Sequence, residues 1–527
     1  MRQPATRFAL LSFVLLVFAL PAYAQEDLDA RLKEIDEYAA KAGRDWKAPG
    51  FSVAIVKDDR VVFVKGYGVR ELGKPDAVDA DTIFAIGSNT KAFTSAALAV
   101  LVDEGKVSWD DPVTKHLPGF QLFDPYATRE MSVRDLLSHR SGLATFAGDL
   151  LWYESSYGRD EIIRRARHLR PASSFRSRFG YQNIMFLAAG EIVPAVAGKS
   201  WDDFLKEKFF DPLGMRRTLT RHADFARASN VAAPHNEVDS RLRSIPHGNV
   251  DNVGGAGAIK SSAADMAQWV RLQLARGTRD GRKIFGTAAS REMWTPHAVL
   301  GAVSESAEKF NPTTHFGLYG LGWILNDYQG RLLVSHGGGL DGMISRVALM
   351  PEERLGLVVL TNSETSLSSA LSNKILDVFL GVARRDWSAD FLARTKQAKE
   401  TSEAAARKVE DARVPNTKPS LSLESYAGVY TGEMFGDARV TAEGGRLVLR
   451  LLPSPKFVGD LEHWHFDTFR VRWREGVVYP FPRGFVTFTL DAQGKPAELK
   501  LDVPNFDFDF KEIELRRAPD AQTPRSN

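Results

Sequence analysis

Leu28, Leu32, Ile35 and Tyr38 recur every three or four positions, which predicts a helix with one apolar face. Residues 51–57 and 60–67 are β-rich runs on either side of Asp58-Asp59, the pattern of a hairpin. From Phe84 to about Ala275 the period is mainly helical, with runs at 91–102, 133–138, 184–196 and 263–274. Strand patterns return at 319–326, 331–335, 345–350 and 355–361, and residues 371–380 read as a closing helix. Strands at both ends of a helical middle predict an α+β domain, one sheet with an inserted helical lobe.

Residues 386–422 are rich in Ala, Lys, Glu and Arg to about Arg413 and are then interrupted by Pro415 and Pro419, which predicts an exposed helix and a linker. Beyond them, 426–517 is dense in Val, Phe and Tyr with Gly-containing turns, the pattern of a small all-β, barrel-like domain. The expected organisation is 1–24, 25–385, 386–422 and 423–527. The first segment has Arg2 and Arg7, an apolar run over 8–20 and Ala22-Tyr23-Ala24, the form of a cleaved secretory signal peptide. That run is too short for a stable membrane span, which needs roughly 20 apolar residues, so a secreted or periplasmic protein is expected.

Composition changes little: 44% hydrophobic and 26% charged residues are ordinary for globular chains. The absence of cysteine excludes disulfides, thiolate metal sites and a Cys nucleophile. A formal charge of +3 with interspersed signs carries no nucleic-acid footprint. No cofactor is called for, a small molecule or peptide is the expected partner, and oligomeric state is not legible.

Ser88 and Lys91 form an S-x-x-K set where a strand-like segment passes into a helix. The spacing puts hydroxyl and amine on one face, and the helix start offers free N–H groups for an oxyanion. The competing reading is a helix cap with a solvated lysine. Ser306 and Lys309 repeat the spacing in a polar, loop-like stretch. Tyr181-Gln182-Asn183 precedes an apolar helical run. A tyrosine beside a cationic amine can ionise near neutral pH, while a buried Tyr with a capping Asn is the plainer alternative. His336-Gly337-Gly338-Gly339 follows the strand pattern at 331–335, either as a substrate-binding strand edge or as a wide turn, and His315-Phe316-Gly317 is a decoy of similar form. His463 and His465 alternate on a predicted strand, but two ligands without a third argue against a metal, and none is expected.

These motifs in this order, together with FAIGSNTKAF (84–93), VRDLLSHRSGL (133–143), DPLGM (211–215) and VGGAGAIKSSAADM (253–266), resemble the serine β-lactamase and penicillin-binding-protein-like hydrolases. The resemblance spans about 45–380 and is strongest to class C β-lactamases, D-amino-acid peptidases and esterases. It implies an antiparallel sheet with the site between sheet and helical lobe. Ser88 would then be the nucleophile, with Lys91 and Tyr181 as proton-transfer pair and Asn183 as positioning amide. His336, Gly338 and Gly339 would bind substrate from the sheet edge, the Ser88 and Gly339 N–H groups forming the oxyanion hole. The all-β tail resembles the lipocalin-like domain of some of these peptidases.

Many β-lactamases carry Lys where this chain has His336. Histidine is largely neutral above about pH 6.5, so the expectation is hydrolysis of esters, amides or D-amino-acid peptides with weak turnover of carboxylate-bearing β-lactams. A β-lactamase or penicillin-binding protein is the first alternative, and a catalytically idle binding protein the second. No G-x-S-x-G occurs, which sets a lipase-type hydrolase aside.

Overall fold

Leu355–Thr361 is buried at every position, as an apolar run must be when both faces of its sheet are covered. The computed structural model describes residues 8–238, 240–474 and 481–519. The segment expected to be a signal peptide is largely outside the described residues: residues 1–7 and the side chains of 8–24. The backbone from residue 8 belongs to helix α1 (Phe8–Asp45).

The hairpin β1 (Gly50–Lys57) and β2 (Arg60–Gly68) leads through a 3-10 turn, Gly87–Asn89, into α2 (Thr90–Asp103). The lobe contains α3 (Asn183–Ala197) and α4 (Ala263–Leu274). The chain then returns as β3 (Ala298–Val299), β4 (Gly317–Tyr319), β5 (Ile324–Tyr328), β6 (Arg331–Leu340), β7 (Met343–Met350) and β8 (Leu355–Thr361). These make one antiparallel sheet in the order β2-β1-β8-β7-β6-β5-β4-β3. Helix α5 (Leu367–Leu380) joins α1 on one face, where Ile35, Leu371 and Ile375 meet Val53, Ile55 and Val359. The other face carries α2, α4 and the lobe, with Phe93 stacked on Trp269 at 3.7 Å between ring centroids.

Two expectations are corrected. The triple glycine is not a turn, because β6 runs through it to Leu340 as a strand of the sheet. Its pairing with β5 nevertheless stops at Ser335 while pairing with β7 continues to Leu340, so the flank of residues 336–340 facing α2 is open. Ser306 and Lys309 lie on a short helix, Glu305–Phe310, capped by Ser304, not in a loop. Residues 305–309 of that helix are exposed, and Lys309 pairs with Glu305 at 2.6 Å.

Helix α6 (Trp387–Asp411) leads to a closed eight-stranded antiparallel barrel: β9 (Gly428–Thr431), β10 (Ala438–Glu443), β11 (Arg446–Leu451), β12 (Val458–His465), β13 (Thr468–Trp473), β14 (Gly484–Leu490), β15 (Pro496–Asp502) and β16 (Leu515–Arg517). Closure leaves no edge strand to template aggregation. Inward positions such as Tyr430, Leu449, Val471 and Phe488 fill its interior. The barrel packs onto the helical lobe, and one apolar cluster continues from lobe to barrel. The Tyr157 hydroxyl donates to the Phe435 carbonyl at 2.9 Å, and Arg165 Nη1 to the Glu433 and Met434 carbonyls, each at 3.0 Å. His463 is occupied by the Phe466 carbonyl at 3.0 Å and His465 by the Val414 N–H at 3.3 Å. No cluster of three or more potential metal ligands is found among the described residues.

Candidate active site

Ser88 sits in the 3-10 turn that opens α2, and Gly87 before it adopts φ +50°, a left-handed conformation that glycine takes without steric cost. A side chain at Gly87 would strike the backbone of Gly339, and one at Gly338 would strike the Ile86 carbonyl. The glycines of β6 therefore let the strand lie directly against the serine turn. Ser345 on β7 fastens the two, donating to the Ile86 carbonyl at 2.6 Å and accepting from Asn89 Nδ2 at 2.7 Å.

Lys91 is fully buried, and its amine donates to Ser88 Oγ at 3.0 Å, Asn183 Oδ1 at 2.7 Å and the Ala256 carbonyl at 3.0 Å. Burial disfavours the ammonium and brings its pKa down to about 7, while Asp149 opposes the fall. The solvated-lysine reading therefore fails. The phenolate reading of Tyr181 also fails, because burial pushes its hydroxyl well above 10 and the opposing hydrogen bond with Ser88 is the lesser effect. The tyrosine keeps its proton and the lysine is the group that becomes neutral. The ring of Tyr181 lies 4.7 Å from the Lys91 nitrogen.

His336 on β6 is buried, with Nε2 2.9 Å from the Tyr319 hydroxyl and Nδ1 2.6 Å from the Gly337 carbonyl. Burial, followed by the positive charge of Lys91, lowers its pKa to about 3, so the ring is neutral. Ser88, Lys91, Tyr181, Asn183, His336, Gly338 and Gly339 thus converge where α2, α3 and β6 meet; Ser306, His315, His463 and His465 do not join them.

Three further groups were not singled out from sequence. His139 lies under Tyr181 with ring centroids 4.2 Å apart, and its Nδ1 accepts the Gln182 N–H at 2.9 Å, fixing the backbone between Tyr181 and Asn183. Asp149 accepts from Asn183 Nδ2 at 2.6 Å, and burial raises its carboxyl to about 7. Arg346 on β7 stands opposite Gly337 with a buried Nε that has no hydrogen-bond partner. His139 falls inside the VRDLLSHRSGL segment, whereas Asp149 and Arg346 carry no local signal.

The site opens on a cavity of about 490 Å³ whose wall includes Ser88, Tyr181, His336, Arg346 and, from the barrel, Asn505, Asp507 and Phe508. Among the described residues Arg346 is the one Lys or Arg in that wall, against the carboxyl groups of Asp149, Asp341, Glu364 and Asp507. Asp341 accepts from the Tyr153 hydroxyl at 2.8 Å, and burial raises it to about 7. The barrel is therefore part of the site's wall.

Residues 35–380 match the family model described as Beta-lactamase, and residues 412–517 match a domain of unknown function, DUF3471. The chain belongs to the Beta-lactamase family and is a hydrolytic enzyme. It is 33% identical over 407 residues to Unguisins hydrolase ungD' of Aspergillus campestris (strain IBT 28561), covering 73% of each chain. Among solved structures it is similar to the octameric penicillin-binding protein homologue from Pyrococcus abyssi, with TM-score 0.60, 22% identity and coverage of 92% of this chain and 100% of that one. D-amino acid amidase from Ochrobactrum anthropi SV3, solved with L-phenylalanine, aligns with TM-score 0.53, 22% identity and coverage of 66% and 98%.

Proposed function

We propose that this chain is an exported serine hydrolase that forms an acyl-enzyme on Ser88 and acts on esters, amides or D-amino-acid-containing peptides. The observation that carries the reading is the contact of a buried amine, neutral near pH 7, with Ser88 Oγ at 3.0 Å. Neutral Lys91 accepts the Ser88 proton as Oγ bonds to the substrate carbonyl carbon, and the carbonyl oxygen becomes an oxyanion held by the Ser88 and Gly339 N–H groups. As the bond to the leaving alcohol or amine breaks, the proton passes to it through the neutral Tyr181 hydroxyl. Water then hydrolyses the acyl-enzyme by the same proton path.

The carboxyl-rich wall favours substrates with a free amine, as in amino-acid amides, and the amidase among the structural neighbours agrees in fold. A β-lactamase is the second reading, favoured by Arg346, whose guanidinium offers a carboxylate the cation that His336 does not. We take the barrel as the lipocalin-like companion of the catalytic domain, and residues 1–24 as a signal that delivers the protein to the periplasm or exterior.

The test is turnover by the mature protein of p-nitrophenyl butyrate, D-phenylalanine amide and a chromogenic cephalosporin. Ester and amide hydrolysis well above cephalosporin hydrolysis supports the reading. Efficient cephalosporin turnover alone would replace it with the second.

A further inference from the structure

Behind Lys91 a row of hydrogen bonds leads out of the catalytic domain. Lys91 donates to Asn183 Oδ1 at 2.7 Å, Asn183 Nδ2 donates to Asp149 Oδ2 at 2.6 Å, and the N–H of Gly148, next to Asp149, donates to Glu512 Oε2 at 2.7 Å. Glu512 belongs to the barrel. It ends the short turn Phe510–Glu512, and Phe510 is fully buried among Phe457, Trp473 and Phe481. Gly148 takes φ +78° at the start of the turn Asp149–Leu151, and a side chain on it would strike Leu169 and Ile184. The loop that presents Asp149 is therefore held from the lobe on one side and from the barrel on the other.

We propose that Glu512 is a positioning residue for the catalytic lysine: by holding Gly148 it sets Asp149, which through Asn183 fixes the place and proton affinity of Lys91. The barrel then contributes to catalysis as well as enclosing the cavity. This rests on the assignment of Lys91 as the base.

The charges around this row determine the sign of each change. Lys91 faces Asp149, His139 and His336; Tyr181 also feels Asp149; Asp149 faces Lys91 and Glu512; and Glu512 faces Asp509 and Asp149. Burial raises Glu512 itself to about 7; once ionised it disfavours ionisation of Asp149, and ionised Asp149 favours the Lys91 ammonium. Asp149→Asn removes the anion that steadies the ammonium, so the acid limb of kcat/KM moves to lower pH, by about one unit for an opposite charge at this range. Glu512→Gln keeps an acceptor for Gly148 but lets Asp149 ionise more readily, so the limb moves to higher pH. A residue that only docks the barrel would move neither.

The experiment is the pH profile of p-nitrophenyl butyrate hydrolysis between about pH 5 and 9 at fixed ionic strength, for wild type, Asp149→Asn, Glu512→Gln, Glu512→Ala and Ser88→Ala. Opposite displacements for Asp149→Asn and Glu512→Gln are expected, with kcat down about tenfold or more in Glu512→Ala, which loses the anchor altogether. If Glu512→Ala fails to fold, seen by thermal melting, the Gln variant decides. Profiles that superimpose on wild type, or move in the same direction, overturn the proposal while an inactive Ser88→Ala leaves the catalytic assignment standing. An active Ser88→Ala would overturn both.

Discussion

Replacing Arg346 by Met separates two kinds of substrate. The guanidinium lines the cavity beside His336, its Nε is buried without a partner, and Gly337 opposite has no side chain to shield it. A substrate carboxylate meeting that group gains a charge-assisted hydrogen bond worth about 1.5–3 kcal/mol, which is roughly 10- to 150-fold in kcat/KM. Arg346→Met should therefore cost that factor on the mono-p-nitrophenyl ester of glutaric acid and little on p-nitrophenyl butyrate, which has the same acyl carbonyl but no charge. Stability is the control. Met fills a similar volume and removes a guanidinium whose Nε is buried without a partner, which is itself unfavourable, so the melting temperature should hold or rise. Equal losses on both esters, or a loss confined to the neutral one, would refute this role. His336→Lys would place a second cation in the wall that already holds Arg346, so it should gain little on carboxylates.

Other outcomes follow from the same geometry. Because Lys91 titrates at about 7, the wild-type kcat/KM should rise about tenfold per pH unit below that value and level off above it; a limb near pH 10 would contradict a buried, neutral lysine. The sign for stability is the reverse of an ion pair: a lysine with its folded value lowered from 10.5 to about 7 destabilises the fold at and below neutral pH, and the penalty fades as pH climbs from about 7 to 10.5. Lys91 and Tyr181 act on one proton, so removing both should cost little more than removing the worse one, and multiplicative losses would show independent roles. Proteolysis should nick the exposed stretch of α6 after Ser388, yet the pieces should co-elute because lobe and barrel share one apolar cluster. Spontaneous separation of the fragments would contradict that packing.

What could be read beforehand divides by how local its cause is. Leu355–Thr361 and Ala263–Leu274 have the bounds their patterns suggest, since a near-continuous apolar run and a capped amphipathic stretch need no distant partner to be recognised. Ser88, Lys91, Tyr181, Asn183 and His336 were visible as short motifs with strand-to-helix context. Arg346 was not: it stands beside Ser345 in an otherwise apolar strand with no motif around it, and only the lobe and barrel folded over the sheet turn that face into a cavity. Asp149 precedes Leu150, Leu151 and Trp152 and looks like a helix-start acid; its partner Asn183 comes from another helix. Glu512 lies in a tail with no motif, and its meaning comes from docking. The charge state of Tyr181 was not decidable from sequence, because proximity to an amine is evident from motif order, whereas burial, the larger effect, is not.

The central claim is that Ser88 is acylated, and a fluorophosphonate probe tests it most directly. Intact-mass measurement after labelling should show one adduct on the wild-type protein, mapped by peptide sequencing to Ser88. Ser88→Ala should show none and lose ester turnover while melting as wild type, since alanine suits a helix start, and Ser306→Ala should label and turn over normally. An adduct retained by Ser88→Ala, or wild-type turnover in that variant, would contradict the account.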